Sequence, residues 1–151
     1  MKIFDAKIQY NCVGSIPNHD LSTPQAIARY MESAYFEFPL QETFWVIGMN
    51  RKYKPTGRFL ISTGTQTSCL VHPREVFKAA ILNHATEFAV SHNHPSGDPS
   101  PSKADLEITR QLHEAGKIMG ISLIDHLIMG EKELDPNGLG YYSFRHAGLL
   151  G

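Results

Sequence analysis

The sequence predicts a mixed α/β fold with a single central β-sheet flanked by helices. Two observations support this class: apolar runs of strand length alternate along the chain with segments of helical periodicity, and turn residues separate them throughout. No internal repeat, low-complexity tract or linker interrupts the 151 residues, a length typical of one globular domain. We therefore expect a single domain, residues 1–151, built around one sheet.

Three segments in the first half of the chain are rich in β-branched and aromatic residues. They are predicted to be strands at residues 2–13, 43–49 and 58–67. Between the first two, Ser22-Thr23-Pro24 combines an N-cap residue with a proline at a permitted first helical position. A helix is therefore expected from there to about Phe36, and residues 50–57 should form the turn between the later strands.

Helices and strands alternate in the second half of the chain. The predicted elements are a helix from Pro73 to near His84, a strand at 86–92, a helix at 102–119, a strand at 121–129 and a short edge strand at 141–144. The segment 93–101 contains Pro95, Pro99 and Pro101 and is therefore expected to be a loop.

Composition and charge narrow the class of protein. Fourteen Lys and Arg residues against fifteen Asp and Glu residues give a net charge of −1, so no strong nucleic-acid signature is visible. No stretch reaches the length of a membrane span, and the N-terminal residues lack the apolar run of a secretory signal. Cys12 and Cys69 fit no disulfide scaffold and are expected to be buried thiols. We expect a cytoplasmic protein of undetermined oligomeric state.

His92 and His94 lie two residues apart at the end of a predicted strand. Because side chains alternate along a strand, both imidazoles should face the same side of the sheet. Asp105, in the first turn of the helix after the proline-rich loop, can be brought back onto that pair. Two histidines and one carboxylate leave a fourth tetrahedral position for water, which is typical of catalytic zinc. The pattern predicts one zinc ion on His92, His94 and Asp105.

A purely structural interpretation of the helix start competes with this prediction. Ser102-Lys103-Ala104-Asp105 is also a capping box, in which both side chains satisfy backbone donors of the first helical turn. Considered alone, the motif is more often a cap. Its position after a His-x-His pair and a short, stiff loop favours the metal site.

Zinc hydrolysis also needs a carboxylate that accepts a proton from water and passes it to the leaving amine. Glu42 is the candidate because it directly precedes a strand that can present it to the metal, and Asp98 and Glu87 are its local rivals. Ser102 lies three residues before Asp105 and is the candidate for stabilising the oxyanion of a tetrahedral intermediate.

The sequence supports neither a catalytic Asp-His dyad nor two other classes of zinc enzyme. Asp125-His126 suggests a catalytic dyad, but adjacent strand residues face opposite sides, so His126 is interpreted as a residue of the core or of the surroundings of the metal ligands. The elements H-x-E and P-C-x-x-C of zinc deaminases and the H-E-x-x-H helix of zincins do not occur in the sequence.

The segment Ser91–Asp105 resembles the signature of the JAMM metalloproteases, also called MPN-plus or JAB: His-x-His-Pro, six residues, then Ser-x-x-Asp. It is similar in particular to the bacterial RadC branch, whose further features match Gly64-Thr65, Pro73-Arg74-Glu75 and Asp125-His126 in order. The resemblance covers roughly residues 42–150. Longer RadC proteins carry an N-terminal helix-hairpin-helix region, which we do not expect in this chain.

The resemblance implies a cytidine-deaminase-like α/β/α fold. It also implies zinc on His92, His94 and Asp105, with Ser102 as oxyanion stabiliser and Glu42 as general acid and base. The leading hypothesis is therefore hydrolysis of a peptide or isopeptide bond in a peptide or protein-conjugate substrate. The alternatives are a non-catalytic scaffold associated with DNA repair and, disfavoured by the near-neutral charge, a metal-dependent nuclease.

Overall fold

The computed structural model describes residues 1–12, 15, 19–64 and 71–150. Within these residues there are three helices, α1 (Pro24–Tyr35), α2 (Pro73–Leu82) and α3 (Lys103–Met119). There are five strands, β1 (Thr43–Met49), β2 (Pro55–Thr63), β3 (Glu87–Asn93), β4 (Ser122–Met129) and β5 (Tyr141–Ser143). Among the helices described, none has the length and apolar character that a bilayer-spanning helix needs.

The five described strands form one sheet in the order β2-β1-β3-β4-β5. The pair β3 and β4 is parallel, and α3 is the crossover that such a pair requires. The other neighbours are antiparallel, including β1 and β3, where Phe44 lies opposite His92. The predicted mixed α/β class with a central mixed sheet is confirmed, and β5 is the edge strand that the sequence predicts.

Helices cover both faces of the sheet, because the central strands carry apolar side chains on each side. On one face, residues of α2 and α3 pack with Phe44, Val46 and Val90. On the other face, Ile27 and Met31 of α1 pack with Ile47 of β1 and with its neighbours on β3 and β4. The carboxyl end of β3 therefore emerges between two packed layers of helix.

The ends of α1 follow the local sequence closely. The Thr23 hydroxyl accepts a hydrogen bond from the backbone N–H of Ala26 at 3.2 Å, and Pro24 occupies the first helical position. The helix ends at Tyr35, one residue before the predicted end. The N-cap and the extent of this helix are confirmed.

The predicted strand at residues 2–13 is wrong over the part that the structure describes. Residues 1–12 have no regular structure, and Ile3, Phe4 and Ile8 are exposed. Alternation of apolar residues stabilises a strand only where a neighbouring strand offers a hydrogen-bond ladder, and residues 1–12 pair with no strand of the described sheet. Cys12 is likewise exposed rather than buried, while Val13 and Cys69 lie outside the described residues.

The hairpin between β1 and β2 is tighter than the sequence suggests. Asn50 closes the turn, since its side chain accepts hydrogen bonds from the N–H groups of Lys52 and Lys54. Pairing therefore resumes at Pro55, three residues before the predicted start at Arg58. Residues 65–67 of the predicted strand lie outside the described part of the chain.

Candidate metal centre

His92 and His94 lie at the carboxyl end of β3. Both side chains face the same side of the sheet, as the strand pattern predicts. The His92 ring is buried and stacks on Phe44, its cross-strand partner on β1, with ring centres 5.8 Å apart. His94 follows the strand and donates its backbone N–H to the carbonyl of Met129 at 2.9 Å, which extends the pairing with β4. The Nε2 atoms of the two histidines are 3.1 Å apart.

The loop after His94 folds back tightly toward the sheet. Gly97 closes a turn by donating its N–H to the His94 carbonyl at 2.9 Å, and its φ of +88° favours glycine. The Gly97 carbonyl then accepts the N–H of Glu131 at 2.7 Å, so the loop is tied to the end of β4. A side chain at Gly130 would collide with this carbonyl. The loop consequently delivers the start of α3 next to the histidines.

Asp105 belongs both to the helix cap and to the histidine cluster. Its Oδ2 accepts hydrogen bonds from the N–H and the hydroxyl of Ser102 at 2.7 and 2.8 Å, and its own N–H donates to the Ser102 hydroxyl at 3.2 Å. Its Oδ1 lies 3.2 Å from Nε2 of His92. The capping box and the cluster are therefore compatible, because Oδ1 faces His92 while Oδ2, which the cap holds, still lies 3.5 Å from Nε2 of His94.

The three side chains converge at spacings that suit a metal ion. One donor atom from each of His92, His94 and Asp105 lies within 4.8 Å of the others. The two Nε2 atoms are 3.1 Å apart, and they lie 3.2 and 3.5 Å from the oxygens of Asp105. Ligand atoms about 2.0–2.1 Å from a tetrahedral zinc ion are about 3.3 Å apart. The donor set fits a zinc ion.

A buried hydrogen-bond network fixes the orientation of His92. The Thr109 hydroxyl donates its proton to the Asp105 carbonyl, so it must accept from Nδ1 of His126, 2.6 Å away. Nε2 of His126 is then an acceptor and receives Nδ1–H of His92 at 2.8 Å. We call these four residues the interior network. It leaves the Nε2 lone pair of neutral His92 directed at Asp105 and His94.

A backbone carbonyl fixes His94 in the same way. Its Nδ1 lies 2.9 Å from the Asp98 carbonyl, which only accepts, so Nδ1 carries the proton and Nε2 presents a lone pair to the cluster. The Asp98 side chain itself accepts the N–H of Ser100 in a turn, as its alternative interpretation predicts. Both imidazoles are thus set in the tautomer that binds a metal through Nε2.

The electrostatics of the cluster describe the alternative in which a proton, and not a metal ion, lies between a histidine Nε2 and the Asp105 carboxylate. Although burial opposes it, hydrogen bonding to His92 and His94 holds the pKa of Asp105 well below its ordinary range. Burial, the largest influence, lowers the pKa of His94, but the Asp105 carboxylate and the Asp98 carbonyl outweigh it and raise the pKa. Burial lowers the pKa of His126 well below its ordinary value, so this residue is neutral within the interior network. The Asp105 carboxylate therefore favours a positive charge between itself and the imidazoles.

Glu42 lies beside the cluster on the same face of the sheet. Phe44 pairs with His92 in an antiparallel register, and continuing that register by two residues brings Glu42 opposite His94. The Glu42 side chain is half-buried; burial raises its pKa, while the neighbouring His92 and His94 act to lower it. Its rival Glu87 is at the other end of β3, far from the histidines.

Asn93 holds the backbone on both sides of Glu42. Its side-chain oxygen accepts the backbone N–H of Thr43 at 2.8 Å and the Thr43 hydroxyl at 3.0 Å, and its amide donates to the Gln41 carbonyl at 2.9 Å. Trp45 adds a hydrogen bond from its indole N–H to the Thr43 hydroxyl at 3.0 Å. The residue between the two histidines therefore positions the segment that carries Glu42.

Sequence reasoning missed Asn93 and Thr109. Thr109 lies one helical turn after Asp105, a spacing that gives a weak signal for a hydroxyl that bonds the preceding turn. Asn93 carries no signal of its own, because an amide between two histidines is usually a loop residue. His126 occupies the surroundings of His92, one of its two predicted interpretations, while Asp125 bonds Ser143 and Arg145 on the edge strand and after it.

The sequence as a whole matches the RadC-like JAB domain over residues 21–149, a range that includes every residue of the cluster. The chain belongs to the family of RadC-like JAB domains. The cluster therefore lies within the matched range. In this RadC-like JAB domain the signature residues and the observed convergence coincide.

The curated relatives of the chain are UPF0758 proteins. A UPF0758 protein of Symbiobacterium thermophilum is 44% identical over 131 residues, which are 87% of this chain and 53% of that protein. UPF0758 proteins of Caldanaerobacter subterraneus and Syntrophomonas wolfei are 41% and 47% identical over 84% and 73% of this chain, and over 54% and 44% of their own lengths. The chain therefore spans about half the length of the curated relatives it matches.

Proposed function

We propose that this RadC-like JAB domain is a zinc-dependent hydrolase of peptide or isopeptide bonds. The observation that supports it is the convergence of three metal-binding atoms, from His92, His94 and Asp105, next to the half-buried carboxylate of Glu42. Three protein donors leave one position of a tetrahedral site for the reactants, which distinguishes a catalytic centre from a structural one.

The donor chemistry favours zinc over harder ions. Two imidazole nitrogens and one carboxylate oxygen suit zinc, whereas magnesium and calcium prefer sites made of oxygen atoms alone. When bound, a zinc ion supplies Lewis acidity, which polarises a carbonyl and lowers the pKa of water to about 7.

Glu42 is proposed to move the proton. Its carboxylate accepts a proton from the attacking water and returns it to the nitrogen of the leaving amine. Burial raises the pKa of Glu42, which makes the carboxylate a stronger base than one in bulk water. Asn93 keeps it in place through the backbone of Gln41 and Thr43.

Ser102 is proposed to stabilise the oxyanion that forms when water attacks the carbonyl. Its hydroxyl donates to Oδ2 of Asp105 in the capping box. A role on the oxyanion therefore requires the O–H bond to rotate away from Asp105, while the backbone N–H of Ser102 keeps that carboxylate oxygen satisfied.

The first experiment measures the metal itself. Purified protein incubated with zinc should bind one ion per chain, quantified by mass spectrometry of the eluted metal after gel filtration. Asp105→Ala should lose this ion, while Glu107→Ala, an exposed carboxylate of the same helix, should retain it. Zinc binding at the wild-type level by Asp105→Ala would overturn the proposed site.

The second experiment separates catalysis from the scaffold alternative. Glu42→Gln should keep the zinc ion and lose at least about 100-fold in turnover, since it keeps the shape of the side chain but cannot accept the proton. The inactive variant should also retain its substrate during purification, where mass spectrometry identifies the bound peptide or conjugate. If Glu42→Gln supports every cellular role of the wild type, the scaffold interpretation replaces hydrolysis.

A further inference from the structure

A cavity of about 320 Å³ opens beside His94, on the face of the sheet that α1 covers. Its walls are mainly apolar and aromatic, formed by Tyr35, Phe36, Pro39, Pro95 and Met129. Asn93 and His94 also line it. His94 is therefore the residue through which the cavity adjoins the candidate metal centre, because His92, Asp105 and Glu42 are not among the lining residues.

The walls are held firmly where they adjoin the cluster. The Tyr35 hydroxyl donates to the Ser91 hydroxyl of β3 at 2.6 Å, which fixes the end of α1 against the strand that carries the histidines. Phe36 of the cavity wall and Leu40, farther along the chain, are 78% and 71% exposed. Both apolar side chains are therefore accessible to a substrate.

Among the described residues, two carboxylates, Glu32 and Glu131, line the cavity, and no lysine or arginine does. Both are exposed, and neither makes an ion pair within residues 19–64 and 71–150. Each carboxylate is therefore available to a positive charge from outside the chain. The cavity combines a long apolar wall with a negative edge.

We infer that this cavity binds a lysine or arginine side chain of the substrate, close to the bond that is cut. This inference rests on the proposed peptidase function. The apolar stem of such a side chain packs on Tyr35, Phe36 and Met129, while its cationic end reaches the carboxylates and the aromatic faces. Acidic side chains are repelled by Glu32 and Glu131, and small side chains leave the apolar wall uncovered.

The test uses zinc-loaded wild-type protein and a set of synthetic peptides. In the set, each position in turn carries lysine, arginine, norleucine or glutamate, and mass spectrometry measures the cleavage rates. At one position, lysine and arginine should raise kcat/KM about three- to tenfold over norleucine, which has the stem without the charge. In the double variant Glu32→Gln/Glu131→Gln this ratio should fall to below about twofold, whereas Glu107→Gln should preserve it.

The outcomes separate the two proposals. Cleavage without a preference for basic residues, or a preference that survives in the double variant, overturns the cavity assignment and leaves the hydrolase intact. If the wild type cuts no peptide, the binding of acetyl-lysine amide and acetyl-norleucine amide to the zinc-loaded Glu42→Gln protein is compared by NMR. Larger shifts of the Tyr35 and Glu131 signals with the lysine compound support the cavity assignment, and equal shifts overturn it.

Discussion

The two histidines of the cluster come from the same strand but are held by different parts of the molecule. His92 is buried between Phe44 and His126, and side chains of α3 and β4 fix its tautomer. His94 is half-buried and is fixed by a backbone carbonyl of the following loop. The interior half of the site therefore depends on packed side chains, and the outer half depends on backbone.

This difference teaches which substitutions should affect which property. Changes in the interior network disturb the metal-binding geometry and the core together, because the same side chains serve both. We count Glu42 and Asn93 in the outer half; changes there should leave the interior network in place and act on the proposed proton transfer. Zinc affinity and turnover should therefore respond separately to substitutions in the two halves.

The largest effect is expected for His126→Ala. It removes a fully buried ring, leaves Nδ1–H of His92 without its acceptor, removes one of the two partners of the Thr109 hydroxyl, and opens a cavity beside Phe144. Zinc affinity should fall about 10- to 100-fold. The free energy of unfolding should fall by about 2–4 kcal/mol. Competition with a chelator and urea denaturation measure the two quantities.

The exposed His146 provides the matched control for this substitution. His146→Ala should change zinc affinity less than twofold and the free energy of unfolding by less than about 0.5 kcal/mol. If His126→Ala binds zinc as tightly as His146→Ala does, the interior network does not orient the metal ligand.

Thr109→Val should give the next largest effect. The substitution keeps the shape of the side chain but removes the hydroxyl that joins the Asp105 carbonyl to His126. We expect a loss of about 1–2 kcal/mol in the free energy of unfolding. Zinc affinity should fall about three- to tenfold, since His126 can then rotate. Thr109→Ser retains the hydroxyl and should recover most of the affinity; equal affinities for the two variants would contradict this role.

Asn93→Ala tests the outer half. It removes the hydrogen bonds that hold Gln41 and Thr43, so Glu42 should be poorly placed while the three metal ligands stay in position. Turnover should fall about tenfold, with zinc affinity within about threefold of the wild type.

Hydrogen exchange of the Thr43 amide is the accompanying measurement, and Asn93→Ala should accelerate it, because its acceptor is lost. Asn137→Ala, at an exposed turn, is the control. A loss of zinc affinity as large as that of His126→Ala would show that the two halves are not separable.

The smallest effect concerns Glu42 in the metal-free protein. Burial raises its pKa above the ordinary value of 4.5, so the folded state binds this proton more tightly than the unfolded state does. The contribution to stability is therefore present below about pH 4 and is lost as pH rises through the raised pKa.

Glu42→Gln removes this ionisation. Its melting temperature should exceed that of the wild type by up to about 2 °C at pH 7 and should match it near pH 4. Thermal unfolding of both proteins in a chelator, at a series of pH values, measures the difference. A variant that is less stable than the wild type at pH 7 would contradict the direction of the pKa shift.

The grouping of His92, His94 and Asp105 was predictable because it follows from local rules. Alternation along β3 puts His92 and His94 on one side, and the cap of α3 fixes Asp105, so only the loop between them had to fold back. Local rules were not enough to place Glu42, since its position opposite His94 depends on the register between β1 and β3. The resemblance to the family supplied what local patterns could not.

Local rules could not predict the contacts of Thr109 and Asn93 or the lack of a strand at residues 2–12. The physical reason is the same in each case. Thr109 meets His126 only because α3 packs on β4 at one particular rotation, and Asn93 meets Gln41 only across strands. Likewise, residues 2–12 have a strand-like pattern but no available ladder. Pairing between distant segments decides each case, and a single sequence does not contain it.

Asp105 is connected to the rest of the site at both its side chain and its backbone. The carboxylate caps α3 through Ser102, and the carbonyl begins the path through Thr109 and His126 that returns to His92. Small zinc domains unfold without their ion, because their ligands have no other support. Here the candidate ligands are also held by the helix cap and by the interior network. The fold should therefore persist when a chelator removes a bound ion.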